Sequence, residues 1–562
     1  MNTGNSSALQ KEATHRNVEL RELNNELRDL EFDSPAKQDA TAYDIRDMNA
    51  LGLAPTFKRR FKFIAMVGFC STVVVGWQNT CTNFGFGLFD GGTGGIFWTF
   101  VFSLIASTFL YLTLCELSSC FPTAGGQYQW VAECAPTKAR NLLSYITGWL
   151  LCIGWQTTAA GCGVIMGNLT KYCILLYRPD STMIASQWFP TVLAIIFLLC
   201  GGSFNVYCEY SRKFLERRRP SPKQYTYVQA DSLAVVTRKF PILEGIMLTI
   251  HWAAWIAIVV TLWVTSPRGK ASEVLFTFTN GGGWPSAGVA TLAGTLSAWS
   301  VFVGYDSSVH MTENAKDASK TIPFSMGIAF VVNAILAFIM AITLIFCAGD
   351  IDAVLAETSL TPFVVVFRNA TGSKAATVVM VTPIILTFWS ALISQLATAS
   401  RQLWAFARDG GVPWAHQLAP VHDFEVPRRA VWVSIAFTCC ISLINFGPVV
   451  GFNAIVSLVI IAITSSYTIC IATLIWRRCF GKPIPRERFS LGKTWGMIIN
   501  IIALCCMAPL TVLVLFPPIT DPSAASMNWA ILIFGVIALF SGIYYAVAGR
   551  KTFNPPIRTD EC

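Results

Sequence analysis

The sequence predicts an all-α polytopic membrane protein with 12 transmembrane helices, and three observations predict it. Hydrophobic residues make up 54% of the 562-residue chain and charged residues 13%, about half the roughly 25% charge of a soluble globular protein. At about 150 residues per domain the length alone would suggest three or four soluble domains, but too little polar surface exists to coat them. Apolar runs long enough to cross a membrane, which takes about 20 residues, recur twelve times. Lys and Arg collect in the short segments between those runs, the distribution that orients a membrane protein.

The same composition excludes other classes. The net charge is +9, but a nucleic-acid footprint requires a clustered, solvated basic patch, and these cations are dispersed. No nucleic-acid partner is expected. The 18 cysteines are no disulfide framework, a reading that belongs to short secreted chains. Cys115, Cys152, Cys162, Cys200, Cys470, Cys505 and Cys506 lie within apolar runs, where Cys acts as a small hydrophobe. None has Cys or His neighbours at metal spacing, so no metal and no cofactor are expected. About 60 polar residues precede the first apolar run, so no signal peptide is expected and the first span serves as the insertion signal.

Residues 1–58 read as a cytoplasmic hydrophilic tail. Within it Val18, Leu20, Leu23, Leu27 and Leu30 recur at roughly helical spacing, so both a short amphipathic helix and a disordered tail fit. A twelve-span domain follows over 59–549, with apolar runs at about 61–89, 95–118, 141–166, 187–206, 241–264, 287–309, 324–347, 374–399, 429–447, 451–475, 494–516 and 527–548. Residues 550–562 form a C-terminal tail.

Twelve spans put both termini on one side. Loops on that side hold Lys138, Arg140, the run Arg212 to Lys239, Lys316, Lys320, Arg401 to Arg429, and Arg477 to Lys493. The opposite loops offer little beyond Lys171, Arg178, Arg268, Lys270 and Arg368. This asymmetry places both tails in the cytoplasm. The glycosylation sequons at Asn168 and Asn369 fall in the expected outside loops, whereas Asn5 should stay unmodified.

Two spans carry small and polar residues that a membrane helix normally avoids. Span 1 reads Val67-Gly68-Phe69-Cys70-Ser71-Thr72-Val73, with a second break at Gly76-Trp77-Gln78-Asn79. Span 6 reads Ser297-Ala298-Trp299-Ser300-Val301-Phe302-Val303-Gly304-Tyr305-Asp306-Ser307-Ser308. They lie five spans apart, the offset of a 5+5 inverted repeat over about 61–265 and 287–475. Interrupted helices at matching positions of two halves point to the central site of a transporter. The competing reading is that small residues merely permit tight helix packing. On the first reading Gly68, Phe69, Cys70, Ser71 and Thr72 meet Ala298, Trp299, Ser300, Phe302, Tyr305 and Asp306 around a substrate.

Three ordered motifs carry a resemblance. Span 2 ends Cys115-Glu116-Leu117-Ser118-Ser119-Cys120-Phe121-Pro122-Thr123-Ala124-Gly125-Gly126-Gln127-Tyr128. The block from Gly304-Tyr305-Asp306 through His310, Glu313 and Ala318 to Ile322-Pro323 follows span 6. Ser400-Arg401-Gln402-Leu403-Trp404-Ala405-Phe406-Ala407-Arg408-Asp409-Gly410 follows span 8. Over residues of about 60 to 550 the chain resembles fungal permeases of the amino acid–polyamine–organocation (APC) superfamily, which carry GABA, choline and amino acids. The resemblance implies an APC-type fold of ten core helices plus two peripheral helices (about 494–548), and uptake coupled to protons. It also implies a monomer, whose partners are a small amine or amino acid substrate, protons and membrane lipid.

Independently of the resemblance, Pro122 and the paired glycines Gly125-Gly126 must break a helix, which makes this segment an irregular cytoplasmic gate. Glu116 is either a gate or coupling carboxylate, or an interfacial charge paired with a loop Arg. Asp306 costs roughly 2.5–3.5 kcal/mol near the bilayer midplane, so it must attract a cationic substrate, carry a proton or cap the second half of a broken helix. His251, in span 5, titrates in the range proton coupling needs, or is a satisfied structural His. The aromatics Phe69, Trp77, Trp155, Trp299, Phe302, Tyr305 and Trp389 suit cation–π recognition of an amine, and Trp299 and Phe302 flank the break.

One stretch departs from the family pattern. Residues 208–240 hold Arg217-Arg218-Arg219-Pro220-Ser221-Pro222 where the family turns quickly into span 5, and read as an inserted loop or as retained intron sequence. The function expected is a secondary transporter of the plasma membrane that imports an amino acid, GABA or choline by proton symport. The alternative is a transporter-like nutrient sensor signalling through its tails. No nucleophile–base pair or metal cluster suggests an enzyme.

Overall fold

The computed structural model describes residues 40–52, 57, 59, 61–217, 240–357, 359–421, 427–446, 450–485, 488–523 and 526–558. The heptad-like stretch 18–30, the Asn5 sequon and most of the inserted stretch 208–240 lie outside them.

Twelve helices long and apolar enough to cross a membrane follow one another: Phe63–Phe89, Gly92–Cys120, Arg140–Leu175, Trp188–Val206, Gly245–Thr265, Ala287–Asn314, Ala318–Cys347, Lys374–Arg408, Arg428–Phe446, Phe452–Phe480, Lys493–Leu513 and Ala530–Thr552. They are numbered spans 1 to 12, and every expected span is present. Several helices outrun their apolar core. Span 3 has 36 residues, about 54 Å of helix against a hydrocarbon layer of about 30 Å. Apolar runs mark only the part in lipid, whereas helical hydrogen bonding continues into the polar ends through Lys171, Arg401 and Arg477.

Spans 1, 2, 3 and 4 each pack against the span five places later in the chain. That pairing is what two inverted halves related by an in-plane pseudo-two-fold axis require. The fold is the expected APC-type 5+5 bundle, with spans 11 and 12 on its periphery.

Of the two breaks expected in span 1, the first is absent and the second falls at Val75, next to Gly76. Gly68 to Val73 continue inside the helix Phe63–Val74, and the chain turns at Val75, whose φ of 44° and ψ of 51° are left-handed. The helix runs on through these polar residues: the Thr72 hydroxyl donates within it to the Phe69 carbonyl at 3.1 Å, and Cys70 donates across to the Tyr305 carbonyl of span 6 at 3.0 Å. Span 6 does break within its expected stretch. Val303 is extended, Gly304 has φ of 102°, and a 3-10 helix follows over Tyr305–Asn314.

Close approach constrains span 6 elsewhere. A Cβ on Gly294 would stand 1.7 Å from the Asp90 carbonyl oxygen, far inside contact distance. Gly294→Ala is therefore expected to displace the first half of span 6 from the end of span 1. Monodisperse yield on size-exclusion chromatography should collapse, and a variant with wild-type yield would contradict this packing.

The polar tail holds more order than its composition suggested. A helix over Ala42–Ala50 begins with a capping box between Thr41 and Asp44. Asp44 then accepts from the amides of Asp317 and Ala318 at 3.0 Å each and pairs with Arg59 at 3.1 Å. An acid there faces the positive end of span 7. The C-terminal segment meets the same side of the bundle, where the Asn554 amide donates to the Asp409 carbonyl at 2.9 Å. The sequons are not in plain loops. Asn168 sits within the helix of span 3, and Asn369 is exposed on the short helix Pro362–Thr371 between spans 7 and 8.

Candidate functional site at the paired breaks

A cavity of about 80 Å³ lies where the two breaks face each other. Val73, Val74 and Val75 line it from span 1, and Ser300, Val303 and Gly304 from span 6. Trp155 and Cys162 of span 3, Phe388 and Gln395 of span 8 and apolar residues of span 10 close the rest. No Asp, Glu, Lys, Arg or His lines it among the described residues.

Breaking a helix frees carbonyls that must find donors. Gln395 donates its amide NH to the Val73 carbonyl at 3.0 Å, and Asn79 donates to the Val74 carbonyl at 2.9 Å. In span 6 the Tyr111 hydroxyl donates to the Phe302 carbonyl at 2.7 Å, and Cys70 donates to the Tyr305 carbonyl at 3.0 Å.

These bonds also fix which way the amides point. A carbonyl only accepts, so Gln395 must turn its nitrogen to Val73 and leaves Oε1 free. The Ser300 hydroxyl donates to the Ser297 carbonyl at 2.9 Å, so it accepts from Asn83 Nδ2 at 3.0 Å. Oδ1 of Asn83 is left free. Gln395 Oε1, Asn83 Oδ1 and Trp155 Nε1 are all buried without a hydrogen-bond partner, and all three residues line the cavity. Each such orphan costs about 1–3 kcal/mol. The arrangement offers two neutral acceptors and one donor to a small polar guest.

Of the residues expected around the substrate, Ser300 lines this cavity, whereas Gly68, Phe69, Cys70, Ser71, Thr72, Ala298, Trp299, Phe302, Tyr305 and Asp306 do not. Trp299 instead donates to Thr464 Oγ1 at 3.1 Å. Phe302 packs on Phe100, with ring centroids 5.1 Å apart. Both contact neighbouring spans, Trp299 span 10 and Phe302 span 2. Sequence reading missed Gln395, Asn83 and Tyr111, although an amide inside an apolar run is itself a signal, because it needs a partner or a cavity.

A second cavity of about 320 Å³ lies on the side away from the termini, between the ends of spans 1 and 6, Asn453 and Ser457 of span 10, and the loop carrying Phe516 to Asn528. Asp90 lines it. Burial pushes the Asp90 carboxyl above the ordinary range, partly offset by the hydrogen bond from the Gly282 amide. On the terminal side of the break all ten residues of Tyr305–Asn314 are buried.

Asp306 lies in that buried stretch. Gln127 donates to its Oδ2 at 2.6 Å and Tyr467 to its Oδ1 at 2.5 Å. It does not cap the helix, whose N-cap is Gly304 with no side-chain cap bond. His251 accepts at Nδ1 from Gln78 Nε2 at 3.0 Å, an orientation set by Thr387, which accepts from the same nitrogen at 2.9 Å while donating to Pro383. Glu116 pairs with Arg478 and accepts from the Leu491 amide at 2.9 Å. The segment after Glu116 is irregular as expected, with Gly126 at φ of 60°. Every residue of the following helix Gln127–Cys134 is buried.

A profile of the family described as amino acid permease matches residues 61–208 and 236–538, and the gap falls within the inserted stretch. A Macrophomina phaseolina protein named for amino acid/polyamine transport is 27% identical over 83% of this chain and 96% of its own length. The choline transporter of Saccharomyces cerevisiae is 24% identical over 88% of this chain and 83% of its own. The amino-acid permease BAT1 of Arabidopsis thaliana is 24% identical over 91% and 95% respectively. With twelve spans, paired breaks and a profile match over most of its length, the chain belongs to the amino acid permease family and is a membrane transporter rather than an enzyme.

Proposed function

We propose that this permease imports amino acids or related primary amines such as GABA by proton symport, in the plasma membrane, with both termini in the cytoplasm. The excess of Lys and Arg in loops on the terminal side supports the orientation. The observation that carries the substrate class is the pair of free amide oxygens, Gln395 Oε1 and Asn83 Oδ1, beside an uncharged cavity. They accept N–H donors, which a primary ammonium has and a quaternary one lacks. A quaternary amine is held by an aromatic cage, and only Trp155 and Phe388 are aromatic here. The Trp155 indole N–H is left for a substrate oxygen.

Uptake into a permease-deficient fungal host tests this, with labelled GABA, choline and a panel of amino acids at acidic and neutral pH, with and without a protonophore. Saturable, protonophore-sensitive uptake of a primary amine is expected, with choline weaker by about tenfold or more, because a site built around N–H donors rejects analogues that lack them. Silence toward the whole panel, from protein located at the cell surface, would overturn the reading.

A further inference from the structure

We propose that the proton carried with the substrate is held by the pair His310 and Asp306, behind Trp155. This rests on the symport reading above and names its site. His310 and Asp306 stand one helical turn apart on the inner half of span 6, and neither side chain is exposed.

The network assigns the ring. His310 Nδ1 lies 2.9 Å from the Ala124 carbonyl, which only accepts, so Nδ1 carries a hydrogen in every state. Nε2 is then the one position that changes. It is buried without a hydrogen-bond partner and lies 3.7 Å from Asp306 Oδ2. With Nε2 bare, a lone pair faces a carboxylate oxygen, which is repulsive; with Nε2 protonated, the same geometry is an ion pair. A proton therefore has one well-defined place to arrive.

The surroundings leave that proton as the adjustable charge. Span 1 presents the Cys70 thiol, which accepts from Ser307 at 3.8 Å. The helix after span 2 presents the uncharged Gln127 to Asp306, and span 10 presents the Tyr467 hydroxyl. Span 2 contributes the Tyr111 hydroxyl, already bound to Phe302. Span 8 contributes Arg408, which is committed to Glu313 at 2.7 Å and Asp409 at 3.0 Å, and Arg401, which is bonded to Asn314. From the tail, Arg59 pairs with Asp44. Among the described residues, His310 is the one basic side chain within ion-pair distance of Asp306.

Trp155 connects the pair to the substrate. It lines the central cavity, and its ring meets the His310 ring edge-on at 5.7 Å between centroids. In transport, a hydronium that reaches the cavity from outside meets Nε2 when Trp155 moves aside, forms the Nε2–H bond and leaves water behind. Once the bundle opens inward, Nε2–H breaks and the proton passes to cytoplasmic water, returning the ring to its starting state. One proton moves per cycle, without any redox partner.

The test uses full-length protein in proteoliposomes, the membrane potential clamped at zero, and labelled GABA beside a panel of labelled amino acids. An inward gradient of one pH unit should let wild type accumulate substrate up to about tenfold, the ratio one proton supplies. His310→Gln and Asp306→Asn should reduce that ratio to about one. Both should retain counterflow exchange, which needs binding but no net proton movement. Tyr467→Phe, which removes one donor from Asp306, should keep accumulation and shift its pH profile. A His310→Gln protein that still accumulates with the wild-type pH profile would overturn the proposal while leaving symport intact. Wild type that transports without accumulating under the gradient would overturn the symport reading and the pair with it. Loss of both accumulation and counterflow in every variant would make the pair structural and overturn its assignment as the proton site.

Discussion

Replacing Gln395 by methionine is expected to raise the KM for the transported amine by roughly 10–100-fold, the loss of one hydrogen bond to a charged donor at about 1.5–3 kcal/mol. The comparison that makes this informative is Gln402→Met. Both glutamines are buried in span 8, and each donates Nε2 to a backbone carbonyl, Val73 at 3.0 Å or Gly148 at 3.3 Å. Each leaves Oε1 without a partner. Only Gln395 lines the cavity. KM should therefore rise in Gln395→Met alone, and Gln402→Met should lose less thermal stability in detergent, since the Gly148 carbonyl keeps its bond within the span 3 helix whereas the Val73 carbonyl at the helix end is orphaned. Equal KM values for the two would remove Gln395 from the site, and with it the argument for an N–H-bearing substrate.

This pair shows how far the sequence was legible. The number of spans, their order and the involvement of spans 1 and 6 were readable, because apolar length and paired glycines act locally. The position of the span 1 break was readable only in part, at Gly76 and not at Gly68. Gly68, Ser71 and Thr72 look like helix breakers in a membrane, yet the helix Phe63–Val74 runs through all three, and the turn comes at Val75, one residue before the Gly76 break and at a residue that local rules place in regular structure. What permits it is remote in sequence: Gln395 is 322 residues from the Val73 carbonyl it holds. That Trp299 contacts span 10 and Phe302 span 2 was hidden for the same reason, since flanking a break does not say which side of it faces the cavity. His310 drew little notice beside His251 because both are single histidines near apolar runs. Only the tertiary contacts separate them: His251 meets an amide whose orientation Thr387 sets, whereas His310 offers a bare nitrogen to a carboxylate.

Arg478→Met is expected to be the most destabilising single change on the terminal side. Glu116 and Arg478 are both buried, and the carboxylate's other contact is the Leu491 amide. Removing the guanidinium leaves a buried charge with one neutral donor, a situation that costs about 3–5 kcal/mol. Detergent-solubilised protein should show a clearly lowered Tm. Adding Glu116→Gln should recover much of it, because a glutamine oxygen still accepts from Leu491 and no charge is left behind. If Arg478→Met alone costs only the about 0–1 kcal/mol of an exposed ion pair, the site is wet and the anchor between span 2 and the span 10–11 connection is weaker than its geometry implies. The double variant then separates the two readings of Glu116 that the sequence left open. Preserved uptake with the wild-type pH profile makes Glu116 an anchor for the inner end of span 2. Uptake that no longer responds to the proton gradient makes it a coupling group, and would require the proton to pass by span 2 as well as by His310.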